Sequence, residues 1–303
     1  MTTRRRFMRY SLCTSSALLL QGLLPRLSMA ETAMLKRQIP SSGEQIPVIG
    51  LGTADSFNVE REPQALRPLV EVLDRLFEAG GTVIDTAPSY EKSQGIIGIL
   101  LAQQGRTEKA FLATKVEGQE TSIADIEQEM ADLKGAPIDL LQVHSMINYK
   151  SLMPMLREMK QQKAIRYVGI THHSEMAQDE MIKLIESDPM DFVQINLNPQ
   201  ETKAEQRLLP LCQEKGVAVM INRPFLDGRL FRAVANTPLP DFAAEIRCSS
   251  WAQLIIKYSI AHPAVTCIIP ATSNPIHMAE NALAGMGELP DSNMRKRISE
   301  YFK

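Results

Sequence analysis

The sequence predicts an α/β chain folded as one closed parallel barrel, a (β/α)8 TIM barrel, opened by an N-terminal β-hairpin. Three observations predict it. Eight short apolar runs alternate with eight longer amphipathic ones from Leu35 to about residue 285, which is the pattern of parallel strands each followed by a helix. No low-complexity tract or linker breaks the series, and 303 residues is an ordinary length for a single barrel domain. Several runs end on a polar or charged residue, and such barrels carry their chemistry at the C-terminal ends of the strands.

The elements follow in order. Ile39-Pro40-Ser41-Ser42-Gly43-Glu44 is a turn between two short strands, hence the hairpin. Barrel strands are expected at Val48–Gly52, Thr82–Asp85, Ala110–Lys115, Ile138–His144, Ile165–Thr171, Asp191–Asn196, Val217–Asn222 and Thr266–Pro270. Their cores, such as Val83-Ile84 and Leu140-Leu141, are short and apolar, as befits strands buried on both faces. Helices are expected near 64–80, 93–104, 121–134, 149–162, 175–187, 203–215, 248–262 and 275–285. Ser122 with Asp125, and Ser174 with Asp179, mark two helix starts.

Residues 1–30 read as an export signal and residues 31–303 as the barrel. Thr3-Arg-Arg-Arg-Phe-Met-Arg9 resembles the twin-arginine pattern, and the apolar stretch Tyr10–Leu24 follows it. That stretch is short for a membrane span, so no stable span is expected after cleavage. Ser28-Met29-Ala30 supplies small residues for cleavage after Ala30. The expectation is passage through the twin-arginine export machinery to the periplasm. The alternative is a basic amphipathic helix that stays attached. Without the five arginines of this segment the chain holds 28 basic and 35 acidic residues, a balance of −7. An acidic body has no electrostatic reason to bind nucleic acid or an anionic membrane. Of Cys13, Cys212, Cys248 and Cys267, the last three are expected to be buried thiols, and no Cys/His spacing fits zinc.

Reading the strand ends gives Asp85, Lys115 and His144 on three successive strands, with Tyr90 five residues beyond Asp85 on a tight loop. Singly each has a plain structural reading: a helix cap, a solvated strand end, a core histidine, a packing tyrosine. Together they form the equipment for reducing a carbonyl, which needs a hydride on carbon and a proton on oxygen. A phenol has a pKa near 10. An adjacent ammonium is expected to lower that of Tyr90, Asp85 to keep Lys115 charged and oriented, and His144 to sit by the carbonyl oxygen. A nucleotide-binding GxGxxG fails because Asp55 stands at the third glycine position. A metal hydrolase using His144 and His172 fails because His172 and His173 alternate in direction and Lys115 would sit among the ligands.

The segments Gly50-Leu-Gly-Thr53, Asp85-Thr-Ala-Pro-Ser-Tyr90, Thr114-Lys115, Val143-His144-Ser145, Val168-Gly-Ile-Thr171 and Ile269-Pro270 with Glu280-Asn281 resemble aldo-keto reductase motifs, in order, across almost all of residues 35–285. The resemblance implies a small carbonyl substrate, Tyr90 as proton donor with Asp85, Lys115 and His144 completing a tetrad, and a nicotinamide cofactor extended across the barrel mouth. It implies further that Thr53 and Asp85 approach the nicotinamide, and that Thr171, His172 and Gln194 serve its carboxamide. Thr171-His172 departs from the family's Ser-Asn pair. The loop Arg223-Pro224-Phe225-Leu-Asp-Gly228 takes the stacking and pyrophosphate-covering place, with Phe225 or Arg223 as the stacking group. After the last strand Pro270, Thr272, Ser273, His277 and Asn281 fall at the adenosine end. There Ala271-Thr272 and His277 stand where the family has Lys-Ser and Arg, so NADP is the first choice and NAD its rival. The short loop after His144 and the short tail predict an open, shallow site. The rival from another class is a redox-sensing or regulatory binding protein that keeps its cofactor with little turnover.

Overall fold

The computed structural model describes residues 33–303; the expected export segment, 1–30 with Cys13, lies outside them. A two-stranded antiparallel hairpin comes first, β1 (Lys36–Gln38) with β2 (Gln45–Pro47). Eight parallel strands follow: β3 (Leu51–Gly52), β4 (Val83–Asp85), β5 (Phe111–Val116), β6 (Ile138–His144), β7 (Ile165–Thr171), β8 (Phe192–Asn196), β9 (Ala218–Asn222) and β10 (Val265–Ile268). Each pairs with its sequence neighbour. The ring closes through parallel bridges from Ile49 to Ile268 and from Gly52 to Ala271. The first strand is thus shorter than Val48–Gly52, because Gly50 and Gly52 donate to the carbonyls of Ile268 and Pro270 across the seam rather than extending a ladder.

Strand alternation decides what fills the barrel. Phe111, Tyr167 and Phe192 pack ring against ring, with centroids 5.6–6.0 Å apart, and the hairpin's Ile39 and Ile46 join the same cluster. The hairpin therefore plugs the N-terminal end. Its Arg37 donates to the carbonyls of Ile260, His262 and Val265, tying it to the last strand and the helix before it. Gly169 is required on β7: a Cβ there would meet the Phe192 carbonyl oxygen at 2.5 Å. Two to four positions further along these strands the interior turns polar, at Lys115, Thr171 and Gln194, which is where the site begins.

The helices α1 (Pro63–Glu78), α2 (Ser93–Gln103), α3 (Ile123–Met130), α4 (Tyr149–Gln161), α5 (Gln178–Ser187) and α6 (Leu208–Lys215) fall within a few residues of expectation. Ser122 and Asp125 form a reciprocal capping box on α3. Ser174 caps a 3-10 turn at Glu175–Ala177, and Asp179 enters the first turn of α5. Likewise the segment at 203–207 is a 3-10 turn and irregular chain before α6. Sequence periodicity misses α7 (Arg229–Ala233), too short to show a period. α8 (Trp251–Ile260) and α9 (Pro275–Leu283) complete the ring. The tail also folds, as α10 (Ser292–Glu300), whose Ile298 joins Leu254, Ile255, Tyr258 and Phe302 in a satellite core. Cys212, Cys248 and Cys267 are buried free thiols. Among the described residues no helix is long and apolar enough to cross a membrane.

Candidate active site

The C-terminal mouth of the barrel opens into a cleft of about 860 Å³. Its floor is built from interior positions of successive strands. Asp85 ends β4 and Lys115 lies near the end of β5; they are 2% and 0% exposed, and Lys115 Nζ donates to Asp85 Oδ2 over 2.8 Å and to the Thr86 carbonyl over 2.7 Å. Gln194 on β8 donates to Asp85 Oδ1 over 2.8 Å and accepts from the Thr171 hydroxyl at 3.0 Å. Gln142 on β6 reaches Asp85 Oδ1 at 3.4 Å, and Asn222 on β9 reaches Gln194 Oε1 at 3.4 Å. One buried carboxylate thus gathers side chains from three other strands, β5, β6 and β8, and Gln194 extends the network to β7 and β9. Sequence reading left out Gln142 and did not place Asn222 in the site. The available signal was parity, since Gln142 lies two positions before His144 and so on the same face.

Tyr90 stands above this floor. Lys115 Nζ lies 4.8 Å from the centroid of its ring, and the His144 ring meets it edge-on with centroids 6.3 Å apart. Burial works against the charge on Lys115, but Asp85 and Tyr90 outweigh it and hold its pKa above the ordinary lysine value. The expected lowering of the Tyr90 pKa is corrected. Burial pushes the phenol up, Lys115 pulls it down, Asp85 adds to the rise, and the net displacement is upward. Tyr90 is therefore a protonated phenol through the neutral range, which is the state of a proton donor. His144 Nδ1 lies 2.5 Å from Glu117 Oε2, a partner that sequence reading did not select.

The other expected residues divide into those that line the cleft and those that do not. Thr53, Thr171, Gln194, Arg223, Pro224, Phe225, Gly228, Thr272, Ser273 and His277 line it together with Asp85, Tyr90 and His144. Thr53 also donates from its hydroxyl to the Asp85 carbonyl at 3.0 Å. His172, Pro270 and Asn281 stand outside the lining. The ring of His172 stacks on that of His173 with centroids 5.0 Å apart, and its Nδ1 accepts from Ser174; it is His173 that faces the cleft. The expectation that His172 and His173 point opposite ways is corrected: both lie past the end of β7, where strand alternation no longer holds, and their rings stack side by side. Pro270 is taken up by the barrel seam. Asn281 lines a smaller adjoining hollow of about 300 Å³ with Phe225, Phe231 and Trp251. Along the rim Arg223, Leu226 and Asp227 all adopt positive φ, and Arg223 pairs with Asp227 at 2.5 Å. Strained backbone concentrated on a cleft loop is a mark of a built site.

Fold and site together define a parallel barrel with a buried carboxylate–ammonium pair beneath a phenol at its C-terminal mouth. The family model of the Aldo/keto reductase family matches residues 48–299, and the chain belongs to that family. Methylglyoxal reductase YeaE of Escherichia coli (strain K12) is 26% identical over 282 residues, 88% of this chain and 96% of that one. The NADH-specific methylglyoxal reductase of the same organism is 25% identical over 201 residues, 55% of this chain and 60% of its own. The structure of an aldo-keto reductase from Klebsiella pneumoniae in complex with NADPH superposes with a TM-score of 0.73 at 21% identity, covering 88% of this chain and 95% of that one.

Proposed function

We propose that the protein reduces small aldehydes or ketones to alcohols with a nicotinamide cofactor, Tyr90 donating the proton. The single observation that carries this reading is the buried Asp85–Lys115 pair set directly under the Tyr90 ring at the barrel mouth. Membership of the family and the methylglyoxal reductases among the relatives support it.

The residues present fit such a cofactor. Asn222 Oδ1 is buried with no hydrogen-bond partner at the floor of the cleft, an acceptor suited to a carboxamide N–H. Gln194 and Thr171 lie beside it. Phe225, packed on Phe231 with centroids 4.7 Å apart, adds a flat face to the cleft lining. At the far end Thr272, Ser273 and His277 line the cleft at the start of α9; Pro275 has no N–H and that of Ile276 is bonded to Asn274, so a phosphate there would rest on these side chains and on the positive end of the helix. NADP is the expected cofactor. Because Ala271 and the exposed His277 replace two lysine/arginine positions, NADH is expected to be accepted too; an NADPH complex and an NADH-specific relative stand on either side of that choice.

When bound, the reduced nicotinamide supplies a hydride to the carbonyl carbon. Negative charge then builds on the carbonyl oxygen, and Tyr90 O–H is the neutral acid placed to neutralise it. As the proton leaves, the fixed charge of Lys115 stabilises the tyrosinate that remains, while Asp85 and the Thr86 carbonyl hold the ammonium in place. His144 closes the other side of the oxygen's position.

Tyr90→Phe removes one oxygen and keeps the ring. NADPH and NADH binding, followed by fluorescence titration, should be nearly unchanged. Turnover of a reactive aldehyde should fall by about a hundredfold or more, the effect of losing a general acid. A folded, cofactor-binding Tyr90→Phe protein that keeps its rate overturns the reading.

A further inference from the structure

Glu117 lies two residues beyond Lys115 on the same face of the chain, just past the end of β5. None of the roles assigned to Asp85, Lys115, Tyr90 and His144 requires it, yet its carboxylate joins two of the loops that carry them. Oε2 lies 2.5 Å from His144 Nδ1. Oε1 accepts from the Ser89 hydroxyl at 2.8 Å and from the Ser89 N–H at 3.3 Å, and Ser89 immediately precedes Tyr90. The Glu117 backbone is itself pinned. Its N–H and that of Gly118 donate to Glu120 over 2.7 and 2.8 Å, and Asn148, four residues past His144, donates to the Gly118 carbonyl over 2.7 Å.

A rim ion pair kept for stability alone would account for the Glu117–His144 contact. It would not account for the second oxygen's two bonds to the residue before Tyr90, nor for a backbone held from both sides. We propose that Glu117 is a positioning residue of the carbonyl-reducing site, fixing the tautomer and direction of the His144 ring and its spacing from Tyr90. The proposal rests on the reading that Tyr90 and His144 flank the substrate carbonyl.

The proton logic is simple. A carboxylate accepts and does not donate, so the hydrogen between Glu117 and His144 belongs to Nδ1. Burial pushes the Glu117 carboxyl up, but the bond and charge of His144 and the bonds from Ser89 outweigh it and keep the group below the usual carboxylate range. A neutral imidazole carries one N–H, so Nε2 is left as a lone pair, and the ring can donate to a carbonyl oxygen only when it holds a second proton. Glutamine at 117 would relax this rule, since its amide can donate to Nδ1 and let the neutral ring carry its hydrogen on Nε2. The ionisable and charged groups around the ring are Glu117, Tyr90 with Lys115 beneath it, and His172 and His173 from the loop after β7.

The test is nitrogen NMR of protein labelled with ¹⁵N-histidine, with the five histidines assigned by removing them singly. In the wild-type protein the neutral His144 ring should show a protonated Nδ1 and a bare Nε2. Glu117→Gln should shift the hydrogen toward Nε2, and its kcat should change by roughly tenfold or more with KM less affected, because the neutral ring then meets the carbonyl oxygen with a donor instead of a lone pair. Glu117→Asp, which keeps the charge, should restore the wild-type tautomer. A wild-type ring protonated on Nε2 overturns the proposal, and so does a Glu117→Gln protein that retains both the wild-type tautomer and the wild-type kcat. Should Glu117→Gln fail to fold, the wild-type spectrum decides alone. The spectrum is read without substrate, so it reports on Glu117 whatever the Tyr90→Phe rates say about the reaction.

Discussion

Asp85→Asn changes one oxygen to an amide nitrogen and leaves the side-chain volume almost untouched, so its effect is electrostatic. Lys115 Nζ and Gln194 Nε2 are both donors, and they use different oxygens of Asp85, each at 2.8 Å. An asparagine has one oxygen for the two of them. Whichever way the amide turns, a donor faces a donor, and when that donor is Lys115 a fully buried charge keeps only the Thr86 carbonyl and Tyr90. Removing one partner of a buried ion pair costs about 3–5 kcal/mol. At about 2–4 °C per kcal/mol for a domain of this size, Tm should fall by roughly 6–20 °C. The pH dependence separates this cause from simple misfit. In the wild-type protein the Lys115 pKa is raised, so its contribution is fully present below the ordinary lysine value and is lost as pH rises through the folded one. In the variant burial dominates and the folded pKa drops below the unfolded value of about 10.4. The unfolded state then binds more protons, and stability rises with pH toward that value. Urea unfolding at about pH 6 and about pH 9 should therefore show the deficit shrinking at the higher pH. A deficit below about 1 kcal/mol, or one that grows with pH, would refute the account of Lys115 as a charge held by Asp85.

Two further outcomes follow from other parts of the chain. Burial and the neighbouring Glu120 push Glu129 up to about 7. The native state thus holds a proton that the unfolded chain releases near pH 4.3, and stability declines as pH rises between those values and stays reduced above them. Glu129→Gln, neutral throughout, should melt higher than the wild-type protein at about pH 8 and not at about pH 4.5; equal gains at both would dismiss the carboxylate pair as the cause. For the N-terminal segment we propose twin-arginine export to the periplasm, so replacing Arg4 and Arg5 by lysine should strand the protein in the cytoplasm on cell fractionation, and an unchanged periplasmic yield would remove that route.

Periodicity is a local property, and what it governs was legible. Seven of the eight strands and the large helices were placed because apolar residues recur at fixed intervals wherever a strand or helix must bury a face. The strand-end rule then brought Asp85, Lys115 and His144 to one rim without any knowledge of their distances. The Asp85-to-Tyr90 spacing added the fourth group. α7 was not legible because five residues carry too little period, and the first strand was overextended because its seam partners lie more than two hundred residues away at 268–271.

The sequence by itself determined the order of the elements and the barrel class, and it named the four residues of the proposed tetrad, since each depends on residue type and on spacing along the chain. Only the tertiary structure decided which groups meet across strands. It showed that Gln194 and Gln142 turn to Asp85, that His173 and not His172 faces the cleft, and that Glu117 holds His144 and Ser89 together. It also reversed the expected direction of the Tyr90 pKa. The charge of Lys115 could be read from the sequence, but the loss of water around the phenol could not, and that loss proved the larger effect. Burial and cross-strand contact are sums over residues far apart in the chain, so they exist only once the barrel has closed.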